Sequence, residues 1–237
     1  MAKEFEHARR NMVESQVRPN GIVDRRIPRA MAELPREKFL PASLRAVAYA
    51  DQDIWIDIAA TDAGADLTPA SDELRETRRA LLRPMVQAQL IQLCDLGPDD
   101  LALDVACGTG YSTAVLGALA GGVVGLDVAG GLVRRAEQTL SDLGTQAVFQ
   151  VGALADGYPG AGPYDAILIN GAVAEPPLAL IDQLKPDGRL VCVVRRDGSG
   201  QATVFERVGE TRWSSGVAFS CTAPMLPAFS ASPVFSF

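Results

Sequence analysis

The sequence predicts an α/β fold with a doubly wound, mostly parallel sheet, and three features of the chain support that class. From residue 101 onward, short apolar segments alternate with segments in which apolar residues recur at helical spacing. The first apolar segment, 101–105, runs directly into a turn that contains Gly108 and Gly110. The last two, 201–207 and 213–220, have no helical segment between them, which predicts an antiparallel edge of the sheet.

Strands and helices are predicted to alternate through the parallel part of the sheet. The predicted strands are residues 101–105, 123–128, 147–151, 164–169 and 189–194. The predicted helices between them are 112–120, 131–143 and 176–184. In helix 131–143, for example, Leu132, Ala136 and Leu140 lie at helical spacing.

The chain before residue 99 is expected to be mainly helical. Its clearest predicted helices are 23–34 and 84–93. Residues 57–76 are rich in Asp, Glu, Ala and Thr, which is typical of a solvated surface insertion or of a lid. We therefore expect one structural unit, in which a helical N-terminal extension (1–98) packs on a core of residues 99–237.

Composition and charge limit the partners of the protein. Its 237 residues include 22 Lys and Arg against 29 Asp and Glu, a net charge of −7. The chain therefore lacks the excess of basic residues that is typical of nucleic-acid-binding proteins. No apolar run approaches the ~20 residues needed to span a bilayer, and the first residues do not form a secretory signal. We expect no nucleic-acid partner, no membrane partner and a cytoplasmic location, whereas the oligomeric state is left open.

The residue types that bind metals or act as histidine bases are scarce. The four cysteines lack Cys-x-x-Cys spacing, which indicates neither a disulfide framework nor a zinc site. His7 is the only histidine and lies in a terminus that we expect to be mobile. We therefore expect no metal and no mechanism that depends on a histidine base.

The turn after the first strand has the features of a nucleoside-binding cradle. In open α/β sheets, ligands lie beyond the carboxyl ends of the strands. Gly108 and Gly110 allow the backbone to turn sharply and to approach a ligand closely, which a Cβ atom would obstruct. Asp127 ends the next strand, where a carboxylate can accept hydrogen bonds from two ribose hydroxyls.

Two residues favour a cofactor with a cationic amino-acid end over a dinucleotide. A dinucleotide fingerprint would have glycine or alanine in place of Thr113, and Asp104 suits the cationic group. The pattern Asp-x-Ala-x-Gly-x-Gly at 104–110 resembles the first motif of class I S-adenosylmethionine-dependent methyltransferases. The resemblance implies S-adenosyl-L-methionine as the cofactor, S-adenosyl-L-homocysteine as the product and Asp127 as the ribose ligand.

Segments outside this motif resemble the protein-L-isoaspartate O-methyltransferase family. The most distinctive are MVESQVRPNGIVD at 12–24 and AMAELPREKFLP at 30–41, and the match continues at 48–51, 108–111, 163–167 and 183–191. Because they cover nearly the whole chain in order, the chain is identified as a member of that family. The resemblance implies a Rossmann-like methyltransferase core. It also implies methyl esterification of the α-carboxylate of L-isoaspartyl residues, or of the D-aspartyl side chain, in a protein or peptide partner.

The cofactor contacts implied by the resemblance lie mostly just after strands. They are Asp104, Ala106, Gly108, Gly110, Tyr111, Ser112, Asp127, Val128, Gly152, Ala153, Leu154 and Asn170. One departure falls after the third strand, where the family has Gly-Asp-Gly and this chain has Gly-Ala-Leu at 152–154. The change removes a polar side chain that would face the adenine and leaves backbone amide groups for that role.

The acceptor side departs further from the family. Where the family has Gly-Gln-Thr-Ile-Ser-Gln-Pro, this chain has Arg-Arg-Ala-Leu-Leu-Arg-Pro at 78–84, so Leu82 stands for the active-site serine and Ala80 for the threonine. Leucine can neither donate to nor accept from a carboxylate. Arg79 and Arg83 flank the position and can hold a carboxylate by charge-assisted hydrogen bonds. Alternatively, they are solvated or paired with the acidic loop 57–76.

Three functions remain open from the sequence. The first is an isoaspartyl O-methyltransferase with a diverged acceptor site. The second is a methyltransferase for another carboxylate or a hydroxyl. The third is a family member that binds the cofactor without repair activity and acts as a sensor or interaction module. A nicotinamide oxidoreductase is disfavoured by Thr113.

Overall fold

A seven-stranded sheet forms the centre of the computed structural model, which describes residues 2–56, 79–175, 177–196, 198–209 and 212–230. Its strands are β3 (Leu101–Val105), β4 (Gly122–Asp127), β5 (Val148–Val151), β6 (Tyr164–Val173), β7 (Leu184–Arg196), β8 (Ser199–Val208) and β9 (Arg212–Ser220). Their order is β5-β4-β3-β6-β7-β8-β9, with β3 to β7 parallel and the last two antiparallel. The predicted parallel sheet and its antiparallel edge are confirmed. Two short strands, β1 (Ile54–Ile56) and β2 (Arg79–Leu81), form a separate antiparallel pair.

The strand order places the ends of β3, β4 and β6 at one edge of the sheet. From β3 the chain first builds outward through β4 and β5, and then crosses to β6 on the other side. A reversal of this kind opens a crevice beyond the carboxyl ends of the central strands. The residues that follow β3 and β4, and those near the end of β6, therefore meet there.

Six α-helices surround the sheets in the described residues. They are α1 (Ala2–Met12), α2 (Arg26–Glu33), α3 (Pro84–Leu93), α4 (Tyr111–Gly117), α5 (Gly130–Asp142) and α6 (Leu178–Ile181). Within this part of the chain, none of the helices is long and apolar enough to cross a bilayer. The predicted helix 84–93 is confirmed to the residue.

Three predictions for helices or strand ends were wrong or too long. The terminus around His7 is part of α1 rather than mobile. Helix 23–34 is shorter: α2 runs from Arg26 to Glu33, and Asp24 lies in the preceding turn, where its side chain accepts a hydrogen bond from the Arg26 backbone N–H at 2.9 Å. Helix 176–184 is reduced to α6, since Leu184 already pairs with Tyr164 as the first residue of β7. Pro176 and the acidic loop 57–76 lie outside the described residues.

The two faces of the sheet bury two hydrophobic clusters. Because side chains alternate along a strand, Leu103 and Val105 of β3 lie in one cluster while Ala102 lies in the other. Asp104 therefore shares the face of Ala102, where α3 and the N-terminal segments pack. Asn170 of β6 falls on the same face by the same alternation.

A bulge in β6 adjusts where Asn170 lies. Leu168 pairs with Val191, and Ala172 pairs with Val193. The chain therefore advances four residues along β6 between these pairs but only two along β7. The extra residues bend the strand and re-aim its side chains. Strand β6 thus extends beyond the predicted end at residue 169 and carries Asn170 to the edge of the crevice.

Gly110 combines a left-handed backbone with close packing against α5. Its φ is +87°, and a Cβ there would lie 2.9 Å from the Cβ of Ala136 and 3.2 Å from Cδ1 of Leu140.

Gly110→Ala should lower the free energy of unfolding by about 3 kcal/mol, because left-handed strain and overpacking add. Gly144→Ala is the matched control, since Gly144 has φ +67° but open space around it, and should cost about 1 kcal/mol. Urea denaturation measures both, and equal losses would contradict the packing argument.

Candidate functional site

The turn after β3 is built from left-handed residues. Ala106, Gly108 and Gly110 have φ of +58°, +57° and +87°. The Cys107 N–H donates to the Leu126 carbonyl at the end of β4, at 3.2 Å. This arrangement turns the backbone toward the end of β4, as the glycine pattern predicted. The five residues of the turn, 106–110, are all buried.

Asp104 is the hub of a buried polar network behind the turn. Its Oδ2 accepts hydrogen bonds from Ser112 Oγ at 2.7 Å and from Thr113 Oγ1 at 2.6 Å. Its Oδ1 accepts a short hydrogen bond from Asn170 Nδ2, and Gln87 Nε2 of α3 donates to Asn170 Oδ1 at 3.1 Å. Thr113, which breaks the dinucleotide pattern, is thus a donor to Asp104. The network ties the turn to α4, β6 and α3.

Burial dominates the electrostatics of Asp104. Its side chain is fully buried, which raises its pKa to about 6, although the hydrogen bonds from Thr113, Ser112 and Asn170 act in the opposite direction. The carboxyl is therefore held near the midpoint of its titration at mildly acidic pH.

Asp127 ends β4 and is also fully buried, with a different set of partners. The Gly108 N–H donates to its Oδ2 and the Ala129 N–H to its Oδ1, each at 3.0 Å. Arg79 donates from Nε to Oδ2 at 2.9 Å and from Nη2 to Oδ1 at 3.0 Å. Each carboxylate oxygen thus accepts two hydrogen bonds, which is about the capacity of the group.

The remaining predicted cofactor residues separate into three groups. Ala106, Gly108, Gly110 and Ser112 lie with the two aspartates and Asn170 at the crevice. Val128 is 41% exposed and Ala153 is also exposed, while the Gly152 N–H donates to the backbone carbonyl of Asp127 at 3.0 Å. Tyr111 and Leu154 turn their side chains into the hydrophobic core instead.

The residues predicted for the acceptor side are placed apart from one another. Leu82 is fully buried in the hydrophobic cluster, and its backbone carbonyl accepts a hydrogen bond from Arg36 Nη2 at 2.7 Å. Arg83 is partly exposed and pairs with Asp53, with 3.3 Å between Nε and Oδ1. Arg79 pairs with Asp127. Within the described residues, Arg79 thus pairs with Asp127 and Arg83 with Asp53. The loop 57–76, which was the predicted alternative, lies outside those residues.

Arg36 is a structural residue of the site that the sequence analysis did not single out. It is fully buried, donates from Nε to the Ala48 carbonyl at 2.8 Å, and lies 4.8 Å from the ring centre of Tyr111. Burial lowers the pKa of its guanidinium. The sequence gives little signal for it, because Arg36 is one of four charged residues in the segment 30–41.

The fold and this arrangement define a class of protein. An acidic residue ending the first parallel strand, a glycine turn and a second acid ending the next strand, on a sheet of this order, are those of a class I S-adenosylmethionine-dependent methyltransferase. The family model for protein-L-isoaspartate(D-aspartate) O-methyltransferase (PCMT) matches residues 8–222. The chain belongs to that family, whose members use S-adenosyl-L-methionine.

Individual relatives agree with the family match. The protein-L-isoaspartate O-methyltransferase of Methanoregula boonei is 34% identical over 202 residues, which are 85% of this chain and 84% of the relative. That of Methanoculleus marisnigri is 32% identical over 225 residues, covering 93% of this chain and 92% of the relative.

Solved structures agree in fold. A structure titled protein-L-isoaspartate O-methyltransferase matches with a TM-score of 0.73 and 21% identity over 95% of this chain and 65% of its own. A putative protein-L-isoaspartate O-methyltransferase from Plasmodium falciparum, in complex with S-adenosyl-L-homocysteine, matches with a TM-score of 0.69 and 17% identity over 93% of this chain and 98% of its own.

The raised pKa of Asp104 predicts a pH effect on stability. An aspartyl pKa is about 3.9 in an unfolded chain. Between pH 4 and pH 6 the folded protein therefore retains a proton that the unfolded chain has lost, so this group's contribution to stability falls as pH rises. Relative to Asp104→Asn, the wild type should lose about 2–3 kcal/mol over this interval, measured by urea denaturation at each pH. Asp99→Asn, at an exposed site, controls for loss of a charge, and an equal pH dependence in both comparisons would contradict the assignment.

Proposed function

We propose that this chain is an S-adenosyl-L-methionine-dependent O-methyltransferase that esterifies isoaspartyl carboxyl groups, with an acceptor site different from the family's usual one. One observation carries the proposal: Asp104, the glycine turn and Asp127 keep the nucleoside side of the family's site on a chain that matches the family over residues 8–222. The proposed partners are proteins or peptides with isoaspartyl residues. A cytoplasmic location stays a prediction.

The residues at the crevice suit the cofactor. Asp127 would accept the ribose hydroxyls, and the buried network of Asp104 holds the turn in shape beside it. The nearest neighbours of Gly108 on its side-chain side are side-chain atoms of Arg79 and not backbone atoms. A side chain can move to admit a ligand more easily than backbone can. Val128 and the backbone of 152–154 are the proposed adenine contacts.

The chemistry asks for positioning rather than for a base. When bound, S-adenosyl-L-methionine supplies a methyl group that is already activated. A carboxylate acceptor is ionised at neutral pH and needs no proton removed, so the protein's task is to hold it in line with the methyl group. The scarcity of histidine is therefore compatible with this function, since His7 lies in α1, which carries none of the proposed site residues.

Arg83 is the proposed acceptor ligand. Leu82 is buried among apolar side chains, and Arg79 makes a tighter, fully buried pair with Asp127. Arg83 is 32% exposed, makes a longer ion pair with Asp53, and lines a cavity of about 610 Å³ between the start of α3 and β8. A guanidinium at such a position can exchange a weak internal partner for a substrate carboxylate.

The acceptor role of Arg83 predicts a kinetic effect. Arg83→Gln should raise the KM for an isoaspartyl peptide about tenfold, because a charge-assisted hydrogen bond contributes about 1.5–3 kcal/mol. The affinity for S-adenosyl-L-homocysteine, measured by calorimetry, should not change. Arg10→Gln is the control, since Arg10 is exposed on α1 and pairs only weakly with Glu6 across one helical turn. A kcat/KM equal to that of wild type would remove Arg83 from the acceptor site.

A second candidate function is favoured by the burial of Leu82. A chain whose serine position is fully inside the core can bind the cofactor without repairing isoaspartyl residues. This candidate corresponds to the sensor or interaction module.

Product analysis tests the proposal against this candidate. The protein is incubated with S-adenosyl-L-methionine labelled in the methyl group and an isoaspartyl peptide, with the matching aspartyl peptide as control. We expect a base-labile methyl ester on the isoaspartyl peptide alone. Cofactor binding with no ester on this peptide, but ester or ether on another carboxylate or hydroxyl compound, would replace the acceptor. Binding with no methylated product from any of them would support the second candidate.

A further inference from the structure

Arg79 lies where the ribose would have to bind. Its Nε and Nη2 are 2.9 and 3.0 Å from the two oxygens of Asp127, and the two side chains are 1% and 0% exposed. Among the described residues, the other two donors to Asp127 are the backbone N–H groups of Gly108 and Ala129. A ribose hydroxyl can therefore reach this carboxylate only by replacing one of the present donors.

The aliphatic part of Arg79 also covers the glycine turn. The position that a Cβ on Gly108 would take is 3.5 Å from Cβ and 3.8 Å from Cγ of Arg79. The turn that lets a ligand approach the backbone is thus in van der Waals contact with the arginine stem. One side chain blocks both features by which the sequence predicted a nucleoside site, the glycine and the acid.

Of the donors on Asp127, Arg79 is the one that can leave. The Gly108 and Ala129 amides belong to the turn and to the segment just before α5, and their positions are fixed by the backbone. An arginine side chain can rotate into water, where its charge is well solvated. Asp127 would not be left as an isolated buried charge, because the incoming hydroxyls would replace the donors that depart.

We propose that Arg79 competes with the nucleoside for the carboxylate of Asp127. When the cofactor binds, the ribose hydroxyls replace the Arg79 guanidinium on Asp127. The inference rests on the proposed function, because it takes S-adenosyl-L-methionine and its product as ligands. The apparent dissociation constant is the intrinsic constant divided by the open fraction. Arg79 therefore sets how much cofactor is needed to load the site.

Equilibrium binding of S-adenosyl-L-homocysteine tests the competition. Arg79→Gln removes the charge and the bidentate geometry, and should bind at least tenfold more tightly than wild type by calorimetry, a difference of 1.4 kcal/mol. Arg79→Met, which keeps the apolar stem over Gly108, should bind more tightly than wild type as well. The control is Arg189→Gln. Arg189 is 28% exposed and also pairs with carboxylates, those of Asp95 and Glu206, but it lies outside the crevice, so the affinity of this variant should equal that of wild type.

Thermal unfolding gives a second readout. Without ligand, Arg79→Gln should melt below wild type, since Asp127 loses its cationic partner. Saturating S-adenosyl-L-homocysteine should raise its melting temperature more than that of wild type. Equal or weaker binding by both Arg79 variants, in folded proteins, would overturn the competitor and leave the proposed function standing. Failure of wild type and of all variants to bind S-adenosyl-L-homocysteine would refute the proposed function, and the competitor with it.

A crystal structure of the wild-type complex requires no variant. With S-adenosyl-L-homocysteine bound, the Arg79 guanidinium should have left Asp127 and the ribose hydroxyls should occupy the carboxylate. A complex that retains the 2.9 and 3.0 Å contacts between Arg79 and Asp127 would overturn the proposal.

Discussion

The site depends on one buried carboxylate. Asp104 accepts hydrogen bonds from the first turn of α4 and from the end of β6, and through Asn170 it reaches α3. The network adds oriented polar contacts to the backbone pairing of β3 with β6 and to the apolar packing of α3 on the sheet. Without the carboxylate, the hydroxyls of Ser112 and Thr113 and the amide of Asn170 would lose the acceptor that they share. The shape of the nucleoside side therefore follows from satisfying a charge that the fold has removed from water.

Different interactions hold the two halves of the candidate site: hydrogen bonds on the nucleoside half and apolar packing on the acceptor half. The nucleoside half is polar and fully satisfied, with carboxylates, amides and hydroxyls paired inside the protein. On the acceptor half, the serine position is an apolar core position, Leu82, which holds its segment through packing and one backbone carbonyl bound by Arg36. In the proposed function, substrate recognition on that half falls to charged side chains at the rim, where water and neighbouring carboxylates compete with the acceptor.

Much of the fold was predictable because its signals are local. Strand 101–105 and helix 84–93 have their predicted limits, and the glycine turn and Asp127 lie together at the sheet edge. The length of α6 was not predictable, since the pairing of Leu184 with Tyr164 decides it and no pattern in the segment records that contact. The Arg79–Asp127 pair was missed for the same reason. The two residues are 48 positions apart, and no spacing rule links an arginine before α3 to the end of β4.

The bulge in β6 makes the site sensitive to the length of the chain as well as to its residues. Four steps along β6 face two along β7, and Asn170 lies inside that interval. Removing Ile169, or adding one residue between Leu168 and Asn170, would move Asn170 to the opposite face of the sheet, because side chains alternate. Asp104 would then lose its amide partner although every residue of the network was still encoded. For relatives of this protein, a single-residue gap at this point of an alignment is therefore a stronger sign of a lost site than a conservative substitution within it.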